Sequence, residues 1–75
     1  MAKGDFILVT VKGAADPVGV HANMNGRRVE YEFDKEGNIQ WFVAKELTRG
    51  GTTARLIRFP VTEVLAIQVN QKEID

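Results

Sequence analysis

From Phe6 to Lys12 the chain reads F-I-L-V-T-V-K, with apolar residues on both phases of a period-two repeat at Ile7, Leu8 and Val9. A strand buried on both sides in so short a chain predicts a closed barrel or a covered sheet. Gly13 to Pro17 (G-A-A-D-P) breaks the run with three turn-forming residue types. Val18 to Met24 then alternates Val18, Val20, Ala22 and Met24 against Gly19, His21 and Asn23. That is the pattern of a half-buried strand, weakened by its glycine and asparagine. Asn25-Gly26 predicts a type I′ hairpin turn, which needs positive φ at both central positions. Arg27 to Phe33 alternates cleanly, with Val29, Tyr31 and Phe33 inward and Arg28, Glu30 and Glu32 outward.

Asp34 to Asn38 (D-K-E-G-N) is a polar turn, which sets Phe33 opposite Ile39 and Arg27 opposite Lys45 if all five residues lie in it. Ile39 to Leu47 and Thr53 to Phe59 form the central hairpin. Both runs are rich in β-branched and aromatic residues, and the Gly50-Gly51 pair between them suits a reversal and not a helix. Period two places Ile39, Trp41, Val43, Lys45 and Leu47 on one face and Gln40, Phe42, Ala44 and Glu46 on the other. With Thr48 to Thr52 as the loop, Leu47 meets Thr53, Val43 meets Ile57 and Trp41 meets Phe59, which makes the Trp41 face the apolar inside. Pro60 ends the strand because it has no N–H for the ladder. Beyond it, Thr62 can cap a short helix while Val64 to Val69 is β-like. The reading adopted is a tight turn over 60–63, a last strand over 64–69, and a polar tail from Asn70 to Asp75 that frays.

The expected fold class is therefore all-β: residues 1–75 as a single small domain, a five- to six-stranded antiparallel meander closing into a barrel, with at most one short helical turn near 60–63. A tight turn just before the final strand resembles the SH3-like and Sm-like barrels. The likeness is one of fold and spacing and does not fix a function.

Composition narrows the chemistry. At 75 residues a core is thin, and cores of this size are often helped by staples or by partners. Cysteine is absent and histidine occurs once, so disulfides, thiolate zinc sites and histidine clusters are excluded. Self-association is the remaining extra source of stability. Serine is absent as well, which removes the second usual hydrolase nucleophile and leaves only threonines and lysines. Ten basic and ten acidic residues give a formal net charge of zero, which argues against binding nucleic acid through phosphates alone. No signal-peptide core and no apolar run of about 18 residues is present, so a cytoplasmic, complete small protein with no membrane contact is expected.

Four candidate sites follow. His21 is the natural acid–base group, but no adjacent residue supplies a nucleophile or an orienting partner, which leaves it a surface histidine. Glu30 and Glu32 share a strand face, as paired carboxylates or simply as a solvated surface. The assumed registers set Arg27, Lys45 and Arg55 in a row across three strands, close to Arg49. Like charges side by side call for an anion such as a nucleic-acid phosphate, unless Glu46 or Asp5 neutralises them. Finally, Phe42, Ala44 and Leu56, with Arg58 opposite Phe42, form a second apolar face. Either the first or last strand covers it or it contacts a partner. With no G-x-x-x-x-G-K-[ST] or G-x-G-x-x-G, no cofactor and no small-molecule substrate is expected. The functional expectation is a non-enzymatic module acting through protein contacts and self-association at Phe42, Ala44, Leu56 and Arg58. The alternative is a barrel that binds RNA or single-stranded DNA with Arg27, Lys45, Arg49 and Arg55.

Overall fold

A computed structural model describes residues 5–22 and 26–70. The Asn25 half of the predicted type I′ turn, Met24 and the polar tail beyond Asn70 lie outside the described residues. Six strands run in order: β1 (Asp5–Val11), β2 (Val18–Ala22), β3 (Arg28–Glu36), β4 (Ile39–Leu47), β5 (Thr53–Pro60) and β6 (Val64–Asn70). A 3-10 turn over Val61–Glu63 joins the last two. The chain is all-β, as its pattern predicts. The strands form two three-stranded antiparallel sheets, β2-β1-β6 and β3-β4-β5, and among the described residues no closed barrel joins them.

The core lies between the sheets. Ile7, Val9 and Val11 of β1 and Val20 and Ala22 of β2 pack on Val29, Phe42 and Ala44, with Ile57, Phe59, Val61 and Val64 at the margin. Leu8, on the other phase of β1, is opposite Gly19 and lies over the space a side chain would take there. The two-faced apolar character of β1 thus has two causes: one phase fills the core, and Leu8 covers a glycine in the neighbouring strand. The 3-10 turn carries the chain from the second sheet back to the first, where the Lys12 N–H donates to the Glu63 carbonyl at 2.9 Å.

Two registers differ from those the sequence suggests. The β3–β4 hairpin closes through two residues, Gly37 and Asn38, with Glu36 opposite Ile39. Gly37 sits at φ 62° and is the only one of the pair at positive φ, which matches a type II′ turn with glycine first. The ladder therefore includes Asp34, Lys35 and Glu36, which the five-residue turn had excluded. In the β4–β5 hairpin Leu47 does face Thr53, but Glu46 faces Arg55, so Ala54 is an extra residue in β5, a β-bulge. The loop itself is fixed by Gly51 N–H to the Thr48 carbonyl and Thr48 N–H to the Thr52 carbonyl, both 2.9 Å.

The bulge reverses the predicted faces. One extra residue moves every later side chain of β5 to the opposite phase relative to β4. Phe42 then faces Phe59 and Ala44 faces Ile57, and this face turns into the core with both β4 residues fully buried. Trp41, Val43, Leu56 and Arg58 share the outer face instead.

Candidate functional site

The two sheets are offset. β1 packs over β3, and β6 lies one strand further out, so the inner face of β6 overhangs the edge of the second sheet. Ile67 and Val69, opposite Val9 and Ile7, point to the core side yet remain 37% and 38% exposed. On β3, Tyr31 and Phe33 occupy the core-side phase, opposite Ala44 and Phe42, and remain 47% and 53% exposed. Their inward direction was legible in the alternation of β3, but their burial was not. Their rings close over Phe42, with centroid separations of 5.8 Å for Tyr31 and 5.6 Å for Phe33, and meet each other edge-on at 6.4 Å. Such offset and edge-to-face packing is the favoured arrangement of aromatic pairs. The result is an aromatic surface with a fully buried phenylalanine beneath it.

The outer face of the second sheet is of a different kind. Val43 is buried there, flanked in register by Glu32 and Arg58, with Lys45 and Trp41 on either side along β4. The aliphatic stems of these long side chains cover it while their charged ends stay in water. Arg58 stacks on the Trp41 ring at 3.9 Å from its centroid and donates to Glu36 at 2.8 Å. Beside it, Asn38 to Trp41 and Pro60 to Glu63 line a cavity of about 370 Å³ between the β3–β4 hairpin tip and the 3-10 turn. The Trp41 indole N–H is buried with no hydrogen-bond partner among the described residues.

The residues expected to form a partner face are divided by this geometry. Phe42 and Ala44 are corrected to core positions, since side chains with no exposed surface cannot meet a partner while the sheets stay packed. Leu56 is exposed on the outer face opposite Lys45, and Arg58 is held by Trp41 and Glu36.

The row of cations dissolves in the same way. The tighter β3–β4 turn puts Glu30, not Arg27, opposite Lys45. Lys45 lies 3.7 Å from Glu32, Arg27 donates to Glu46 at 2.8 Å, and Arg55 faces Glu46 across the β4–β5 ladder. Arg49, in the loop beyond Leu47, packs against Gly26. Glu46 thus neutralises Arg27.

Glu30 and Glu32 lie on the exposed outer face, each with its own cation: Arg28 at 3.0 Å and Lys45 at 3.7 Å. His21 is exposed on β2, its ring 6.1 Å from that of Phe6. Among the described residues no group of three or more His, Asp or Glu is placed to hold a metal, and no helix is long and apolar enough to cross a membrane. Sequence reasoning passed over Ile67 and Val69, though a signal was present: the last strand contains no charged residue.

Residues 6–71 match the family described as Domain of unknown function (DUF8836), and the chain belongs to that family. No curated protein and no solved structure matches it.

Proposed function

We propose that this DUF8836 chain is a non-enzymatic binding module that works through protein contacts and associates with itself, using the open margin between its sheets. The fold is then an open relative of the SH3-like and Sm-like barrels, with the 3-10 turn joining the sheets on one side and the other side left for a partner. The observation that carries the reading is the exposure of Tyr31, Phe33, Ile67 and Val69 on core-side phases of two edge strands. Exposed apolar surface of this sort marks contact sites, and aromatic residues are the usual anchors of such contacts. A thin core without disulfides gains stability when that surface is covered. The nucleic-acid reading has less support, because three of its four cations face carboxylates of the same sheet and the formal net charge is zero.

Sedimentation equilibrium tests the proposal. The protein is expected to exceed its 8.4 kDa chain mass. Phe33→Glu is expected to return it to the mass of a single chain with its β-sheet circular dichroism retained. A protein that sediments as one chain at every concentration, and whose surface binds no other protein, overturns the reading.

A further inference from the structure

We propose that the edge of β6 is the seam of a homodimer. Two copies add their β6 strands antiparallel across a two-fold axis, so that the two β2-β1-β6 sheets join into one of six strands. This rests on the reading of the chain as a self-associating module and names the strand that carries out the association.

The edges of the molecule differ in how they are protected. An exposed edge presents unpaired N–H and C=O groups, and proteins protect such edges with charge, proline or shortness. Among the described residues, β3 carries Glu30, Glu32, Asp34 and Glu36 along its edge, β5 carries Arg55 and Arg58 and ends in Pro60, and β2 has five residues including Gly19. The sequence of β6, V-L-A-I-Q-V-N, contains seven residues with no charge, no proline and no glycine. Its pairing with β1 is irregular only opposite Thr10 and Val11, which leaves Ala66 to Asn70 a regular, unprotected edge.

Charge and area select the occupant. A charged segment laid on β6 finds no counter-charge in the strand, whereas an uncharged strand meets no penalty there. Among the described residues, the edge that is both long and uncharged is β6 itself. A two-fold antiparallel pairing makes that edge self-complementary, as an isologous contact requires. A standard interface takes about 800 Å² from each partner, roughly one seventh of the 5410 Å² exposed by this chain. One strand edge falls short of that, so side chains must join in. Ile67 and Val69 stand on the overhanging inner face and are brought beside their own copies by the same pairing.

The chain has no cysteine, so one introduced thiol reports one contact. Directly opposed residues in an antiparallel pair have Cβ atoms about 4.5–5.5 Å apart, near enough for a disulfide at the axis after a small shift. Cysteines placed singly as Ala66→Cys, Ile67→Cys and Gln68→Cys are expected to yield a disulfide-linked dimer from at least one position on mild oxidation, and Glu32→Cys on β3 to yield none. Ala66→Lys, which adds a charge twice across the axis, is expected to weaken the dimer about tenfold. In the unaltered protein, the outward amides of Ala66 to Asn70 are expected to exchange slowly when dimeric and quickly on dilution. A dimer by mass whose β6 amides exchange quickly and whose β6 thiols do not cross-link overturns the seam and leaves self-association standing. A protein that is always a single chain overturns both. A broad ladder of masses overturns the seam as well, because it shows the edge pairing without a closing symmetry.

Discussion

At the scale of the residue, Phe42 is the side chain on which the sheets meet. It is fully buried, faces Phe33 and Phe59 across the ladder and carries the Tyr31 and Phe33 rings above it. Its neighbours Trp41 and Val43 are equally apolar, so composition alone could not say which phase of β4 turns inward. Gly19 is constrained by contact. A Cβ there would come within 2.5 Å of Leu8 Cδ2 and 2.6 Å of the Ile7 carbonyl oxygen. The leucine methyl can swing away, but the backbone oxygen cannot. Gly19→Ala is therefore expected to cost about 1–3 kcal/mol, as overpacking does, read as a fall in the urea midpoint with an unchanged slope. An unchanged midpoint would show that β1 and β2 separate freely at that pair.

At the scale of the element, strands were legible and registers were not. The limits of β1, β4 and β5 follow from runs of β-formers ended by Gly13, Thr48 and Pro60, residues with local causes. The pairing depends on features that leave little trace in the pattern: a turn of two residues where five polar ones stand together, and one extra residue, Ala54, in a strand of ordinary composition. Each error was small in sequence and large in consequence, since a shift of one exchanges the faces of a strand. The candidate surface inherited both errors. Phe42 and Ala44 turn into the core instead of onto a partner face, and Arg27 pairs with Glu46 instead of standing beside Lys45. The type II′ turn gives a way to test the corrected register. Gly37 has φ 62° and open space around it, so Gly37→Ala meets no neighbour and costs only the left-handed backbone, about 1–2 kcal/mol. Equilibrium unfolding is expected to show that loss. A five-residue turn without a positive-φ requirement at Gly37 would show none.

At the scale of the whole molecule, what counts is how much apolar surface two small sheets leave uncovered. The sheets overlap where β1 and β2 lie over β3, β4 and β5, and the overhang of β6 beyond β3 follows from strand order, which no local pattern encodes. The function proposed for that margin ties stability to concentration. If a dimer unfolds to two chains, mass action makes its melting temperature rise with protein concentration, whereas that of a monomer does not change. Each tenfold increase adds about 1.4 kcal/mol per mole of dimer. With an unfolding entropy of about 2.1 cal/mol/K per residue over two chains of 75 residues, this corresponds to a rise of about 4–5 °C per decade. Scanning calorimetry over two decades of concentration is expected to show that slope in the unaltered protein and to lose it in Phe33→Glu. A flat line for the unaltered protein would mean that the six-stranded core holds by itself. The exposed aromatic margin would then have to be filled by a chain other than its own.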